Sequence, residues 1–234
     1  MNKKILGIIP ARGGSKGIPG KNLRLLAGKP LLEYTVDAAI SSGVVDRLVL
    51  STDSPEIARL GEKLGAEVPC LRPAELAEDD TPMLPVLVHM VSFLETHGFS
   101  PDIIVLLQPT APMRRPEHIS RAVKLLLSVG SDSVVSVVEL PRHSSPDYVM
   151  KIDNGRLVNF LPEGARITRR QDVRPAYIRD GTVYVVMRDV LMKTCSLYGQ
   201  NCCPLVLPQS ESITLDTLDD WNKAEHILGS STLS

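Results

Sequence analysis

The stretch Ile5-Leu6-Gly7-Ile8-Ile9-Pro10-Ala11-Arg12-Gly13-Gly14-Ser15-Lys16-Gly17-Ile18-Pro19-Gly20-Lys21-Asn22 decides the fold. Its apolar start, Ile5 to Ile9, has the length and composition of a strand buried on both faces of a parallel sheet. The strand runs straight into a loop of glycines and cations. Ligands of open α/β sheets bind at the carboxyl ends of the strands, so this loop is the first candidate site. Glycines let backbone N–H groups approach an anion, while Arg12, Lys16 and Lys21 supply charge. Three cations this close repel one another unless an anion sits among them, which points to a polyphosphate. A Walker A loop is excluded, because Ser15 stands where glycine is required and Asn22 where Ser or Thr is required. The dinucleotide fingerprint fails as well: Gly14, Gly17 and Gly20 recur every third residue rather than as G-x-G-x-x-G.

Outward from this stretch, elements alternate. Leu31 to Ser41 carries apolar residues at helical spacing, with Gly43 as a stop. Leu48 to Leu50 reads as the next strand. Ser54 caps a helix with Pro55 at its first position, running to about Leu64. Met83 to His97 reads as a helix whose start Pro85 restricts to Leu84 or later. Ile103 to Leu107 is a strand, Pro116 to Val129 a helix, and Val134 to Val138 and Thr182 to Met187 are strands. Leu218 to Leu228 closes the chain as a helix, with Gly229 to Ser234 as a frayed tail. This order predicts one α/β domain over residues 1–234, with a mostly parallel sheet in a Rossmann-like three-layer sandwich. Pro141 to Pro175 breaks the rhythm. Asn154-Gly155 between Val149–Ile152 and Leu157–Phe160 predicts a β-hairpin in an insertion over residues 141–175. Two readings of that insertion stand open, a surface loop and an arm that packs on a second subunit.

Composition narrows the function classes. The 234 residues are 43% hydrophobic and 23% charged, ordinary globular usage that excludes a disordered tail, a collagen and a coiled coil. Aromatics at 4% exclude a base-stacking nucleic-acid binder. The net charge of -1 hides an asymmetry. Residues 1–32 hold seven of the 26 basic residues and none of the 27 acids, so the remainder carries -8. Ile5 to Ile9 is too short for a signal-peptide core, and no later run is long and apolar enough to cross a bilayer. Cys70, Cys195, Cys202 and Cys203 match no zinc spacing and read as reduced thiols of a cytoplasmic protein. His89, His97, His118, His143 and His226 show no metal spacing either.

Ile9 to Asn22 resembles the nucleotide-binding motif of the acylneuraminate cytidylyltransferases, the CMP-sialic acid synthetases. The resemblance continues at Ser51-Thr52-Asp53, Leu71 to Ala77, Leu107-Gln108-Pro109-Thr110-Ala111-Pro112-Met113-Arg114, Arg170-Gln171-Asp172 and Leu215-Asp216-Thr217. These blocks keep family order and spacing over nearly the whole chain. The resemblance implies a nucleotide-diphospho-sugar transferase type of fold. It also implies transfer of CMP from CTP, with Mg²⁺, to the anomeric hydroxyl of a nonulosonic (sialic, legionaminic or pseudaminic) acid, with release of pyrophosphate. A homodimer whose inserted arm is the dimerisation element follows from it too. A related nucleotidyltransferase for another keto-sugar acid or nucleotide is the runner-up, and a non-catalytic nucleotide-binding module is the alternative from another class.

Carried over residue by residue, the resemblance gives Arg12, Lys16 and Lys21 to the departing pyrophosphate, with Gly13, Gly14 and Ser15 at phosphate oxygens. Asn22, Arg72 and the backbone near Asp80-Thr81 would read the base. Gln108 and Tyr184 would contact the sugar, Arg170 would reach in from the partner's arm, and Asp216 would hold the metal. Competing bland readings are a surface cation at Arg72, a solvated acidic turn at Glu78-Asp79-Asp80 that caps the next helix, ordinary packing at Tyr184, a solvated Arg169-Arg170 pair, and a helix N-terminal acid at Asp216. The chain departs from the family pattern at Thr214 and Asp180, where family members carry Asp and Asn, and across His143 to Tyr148.

Overall fold

The computed structural model describes residues 3–162, 164, 169 and 172–231. In chain order the elements are β1 (Ile5–Pro10), β2 (Leu25–Leu26), β3 (Lys29–Pro30), α1 (Leu31–Ser41), β4 (Arg47–Ser51), α2 (Pro55–Leu64), α3 (Met83–Thr96), β5 (Ile103–Leu106) and α4 (Pro116–Val129). They continue with β6 (Ser133–Glu139), β7 (Met150–Asp153), β8 (Arg156–Asn159), β9 (Tyr177–Met187), α5 (Arg188–Thr194), β10 (Cys202–Leu207) and α6 (Leu218–Ser231). Six strands form one sheet in the order β10-β6-β9-β5-β1-β4. Five run one way; β9 is antiparallel to both β5 and β6. The sheet is mostly parallel, as the alternation predicts.

Alternate residues of each strand point to opposite faces, and both faces are covered. Ile5 and Ile9 of β1 join Ile103 and Val105 of β5 under α1, α2 and α4. Leu6 and Ile8 join Ile104, Leu106 and Val186 under α3 and α5. That two-sided burial is why β1 reads as an uninterrupted apolar run: all six of its residues are buried. α6 adds a third cluster, in which Trp221 and Leu215 enclose Ile18 of the first loop.

Several boundaries differ from the sequence expectations. α3 starts at Met83, one residue before the limit set from Pro85. Pro85 lies in the first helical turn, where no intrahelical N–H bond is lost. β9 begins at Tyr177 rather than Thr182. Its pairing with β6 shifts register between Val135 and Val137. Opposite that shift Gly181 has φ +75°, and Ser136 donates to the Asp180 carboxylate. Asp-Gly reads locally as a break, but here it is an irregularity inside one long strand. α6 extends through Gly229 to Ser231, so the helix reaches into the segment expected to fray. α5 and β10 are elements the periodicity did not reveal. α5 is short, and Pro204 argues against a strand except at a sheet edge, which is where β10 lies. The predicted hairpin is present as β7 and β8 around Asn154, with the two strands forming their own sheet. The four cysteines are free thiols. Among the described residues no helix is long and apolar enough to cross a membrane.

Candidate functional site

A cleft of about 350 Å³ opens at the carboxyl ends of β1, β4 and β5. Arg12, Ser15, Lys16, Lys21, Asn22, Arg72, Thr81, Gln108 and Asp216 line it, so residues from the two ends of the chain meet at one place. The loop after β1 is held in shape from several sides. Ile18 is fully buried against Leu215 and Trp221. Gly17 runs so close to the next segment that a Cβ there would lie 2.6 Å from the Asp216 carbonyl oxygen. The buried Asn22 amide donates to the Arg12 carbonyl at 3.0 Å, and the Gly13 N–H donates to the Asp53 carboxylate at 2.9 Å.

The motif Ser51-Thr52-Asp53 therefore has a structural account that its sequence did not reveal. Asp53 fixes the loop backbone, and Ser51 holds Arg72. The Arg72 guanidinium donates to the Ser51 hydroxyl at 3.1 Å and to the Ser51 carbonyl at 2.6 Å. It is buried, not a surface cation, and burial lowers its pKa. Lys21 Nζ donates to the Leu215 carbonyl at 3.0 Å. Burial pushes its ammonium below the usual lysine range, and Asp216 opposes that shift.

Asp216 is exposed beside this loop. The cap of α6 is made by its neighbours: Asp220 accepts from Thr217 N at 2.9 Å, and from the Thr217 hydroxyl at 2.7 Å. That arrangement leaves the Asp216 carboxylate facing the cleft rather than capping the helix. One exposed carboxylate next to a cationic loop suits a hard divalent cation that takes its other ligands from phosphate and water. Among the described residues no group of three or more His, Cys, Asp or Glu forms a closed metal cage. Thr214 donates to the Asp180 carbonyl at 2.8 Å, tying the segment before Asp216 to β9.

Asp79 lies in the exposed turn expected for it, and it is also ion-paired. Its carboxylate lies 2.8 Å from Arg12 Nη2 and 2.5 Å from Lys16 Nζ. Asp80 is exposed and does not line the cleft, whereas Thr81 does. Neither Gly13 nor Gly14 lines it; a Cβ at Gly14 would meet nothing within 4 Å.

Tyr184 lines a neighbouring cavity of about 480 Å³, which shares Gln108 and Met83 with the cleft. Arg179, Leu197 and Tyr198 also face it. The Arg179 guanidinium donates to the Tyr198 hydroxyl and lies 5.6 Å from its ring. Burial raises the pKa of the Tyr184 phenol. Gln108 stands at the junction of the two spaces, and its position is set from behind by Arg114. That fully buried guanidinium donates to the carbonyls of Gln108 (2.6 Å) and Thr182 (2.5 Å) and to the Thr35 hydroxyl (2.8 Å). Burial lowers its pKa to about 9, against the favourable charge of Asp180. Sequence reasoning gave Arg114 no role. Its place at the end of Gln108-Pro109-Thr110-Ala111-Pro112-Met113-Arg114, just after a strand, was the available signal. Arg170 lies outside the described residues, while Arg169 pairs with Asp172 at 3.1 Å. His118 is buried and makes structural bonds to Arg115 N and Glu211.

Comparison with known proteins bears on this geometry. A CMP-N,N'-diacetyllegionaminic acid synthase of Legionella pneumophila is 38% identical over 228 residues, 96% of each chain. A pseudaminic acid cytidylyltransferase of Campylobacter jejuni is 29% identical over 95% of each chain. An N-acylneuraminate cytidylyltransferase of Streptococcus agalactiae is 33% identical over 97% of this chain, which spans 53% of that longer relative. Among solved structures, a CMP:2-keto-3-deoxy-manno-octonic acid synthetase complexed with CTP shares the fold, with a TM-score of 0.73 at 20% identity. The match covers 97% of this chain and 99% of that one. The family model described as cytidylyltransferase matches residues 6–193, well over half of the sequence, and the chain therefore belongs to the cytidylyltransferase family.

Proposed function

We propose that this chain transfers CMP from CTP to the anomeric hydroxyl of a nonulosonic acid and releases pyrophosphate. The observation that carries the reading is the junction at Gln108. A cleft bearing Arg12, Lys16, Lys21 and Asp216 opens there into a second cavity bearing Tyr184. One space suits a nucleoside triphosphate and the other a sugar. In the transfer, a bond forms between the anomeric oxygen and the α-phosphorus, the bond from that phosphorus to the bridging oxygen breaks, and the proton of the anomeric hydroxyl passes to solvent. Negative charge grows on the departing pyrophosphate. Fixed cations there stabilise the transition state more than the ground state. In this reading Arg12, Lys16 and Lys21 supply that charge, with Ser15 at a phosphate oxygen.

Asn22, Arg72 and the Thr81 segment bind the base, and Gln108 orients the sugar, its amide able both to donate and to accept. Asp216 would hold Mg²⁺, which when bound would neutralise phosphate charge. The insertion over residues 141–175 is read as a dimerisation arm on a single domain, because β7 and β8 expose Ile152, Leu157 and, just beyond, Phe160. A two-stranded hairpin is marginal by itself. Arg170 of that arm would act in a partner's site. The expected compartment is the cytoplasm.

The test is pyrophosphate release from CTP and Mg²⁺ with a panel of sugar acids. Diacetylated legionaminic acid comes first, since the relative named for it is 38% identical. Turnover with one nonulosonic acid is expected. CTP binding without release from any sugar would overturn the reading in favour of a binding module.

A further inference from the structure

We infer that Asp79 is an exchangeable counter-ion of the triphosphate cradle, which the β- and γ-phosphates must displace and which helps eject pyrophosphate after transfer. The inference rests on the proposed role of Arg12 and Lys16 as phosphate-binding cations. One carboxylate bridges both of them, at 2.8 Å and 2.5 Å, inside the cleft where that anion is expected. Lys16 holds the Asp79 carboxyl below the usual carboxylate range, so it is ionised at neutral pH.

The two partners differ in how they are held. Arg12 is half-buried, follows β1 directly and also donates to the Ala77 carbonyl at 3.5 Å. Asp79 lies in the exposed turn between residues 74–76, a short 3-10 helix, and α3. The cations belong to a loop pinned by Ile18 and Asn22, whereas the carboxylate sits on a turn of small and polar residues. Exchange therefore moves the turn and leaves the cradle in place.

The exchange has a chemical consequence. An occupied cradle lowers the apparent affinity for any ligand that needs both cations, by the fraction of time they are open. A nucleoside monophosphate that stops at the α-phosphate pays no such penalty. The device thus selects against tight retention of pyrophosphate and leaves CMP binding alone. Because Lys16 and Asp79 are solvent-exposed, the effect is modest, about two- to five-fold.

Calorimetry with pyrophosphate, CTP and CMP on wild type, Asp79→Asn, Asp79→Ala and Arg12→Ala tests this, with thermal melts to verify folding. Asp79→Asn and Asp79→Ala are expected to tighten pyrophosphate and CTP by that factor, leave CMP unchanged, and make pyrophosphate a stronger product inhibitor. Arg12→Ala is expected to weaken pyrophosphate more than ten-fold. Unchanged or weaker pyrophosphate binding in both Asp79 variants, with Arg12→Ala impaired, would overturn the exchange alone. If Arg12→Ala also leaves pyrophosphate binding unchanged, the phosphate-cradle reading falls with it.

Discussion

The loop after β1 and the insertion over residues 141–175 both leave the same sheet, yet they are built on opposite principles. The loop is closed by the chain's own interior. Ile18 is fully buried, the Gly13 N–H and the Asn22 side chain are engaged, and Arg114 braces the Gln108 wall from behind. Among the described residues the insertion is tied to the sheet near its base. There the buried Asp147 carboxylate accepts from the Arg174 N–H at 3.0 Å and from its guanidinium at 2.5 Å. Beyond that base the hairpin exposes apolar side chains, with Ile152 at 78% and Leu157 at 66%. The difference teaches that the cationic loop takes its shape from contacts within one chain, while the insertion has apolar area that a second surface would complete.

Four experiments press on this contrast, from the largest effect to the smallest. Lys21→Ala should lower kcat by about 100-fold or more, the scale of losing one preorganised charge at a developing anion. Its thermal melt should stay close to wild type, and a wild-type rate would remove Lys21 from the proposed chemistry. Arg114→Met should take the guanidinium bonds from the Gln108 and Thr182 carbonyls and from the Thr35 hydroxyl. A destabilisation of about 2–4 kcal/mol is expected in urea unfolding. A rise in KM for the sugar is expected with it, because Gln108 loses its brace. Ile152→Asp should leave the monomer's stability near wild type but weaken self-association about ten-fold or more in light scattering. If the wild type is itself monomeric at working concentration, the second-subunit reading of the insertion is gone.

The smallest effect belongs to Asp147→Asn. Arg174 holds the Asp147 carboxyl below the usual range. Its stabilisation is then present above the ordinary aspartate value of about 3.9 and is lost as pH falls through the lowered one. The melting-temperature gap between variant and wild type should be open at pH 7 and close in acid. A gap that ignores pH would mean the pair contributes through shape alone.

Legibility followed the range of each interaction. α1, α2 and α4 match their expected spans, because apolar spacing and the starts Ser54-Pro55 and Pro116 are local signals. The Asn154-Gly155 turn was legible for the same reason. β9 was half legible, since the irregularity at Asp180-Gly181 makes sense only opposite Ser136 on another strand. In the site, the cations were plain from composition, but their partners were not. In sequence Glu78 and Asp79 read alike as solvated acids, with Asp80 set apart only by the resemblance, which gives its backbone to the base. Only the fold distinguishes Asp79, at two cations some 60 residues earlier, from Asp80 in solvent.

The sequence by itself determined a two-face-buried strand ending in a cationic glycine loop, an alternating α/β order, and the ordered motifs that mark the family. The tertiary structure alone decided that β9 runs against its neighbours and that Arg72 is buried on Ser51. It also decided that Thr217 and Asp220 cap α6 and leave Asp216 facing the cleft, and that Gln108 joins two cavities. Periodicity and capping act over a few residues and are written where they act. Charge pairing and burial act between residues tens to hundreds of positions apart, and those neighbours exist only once the sheet has formed.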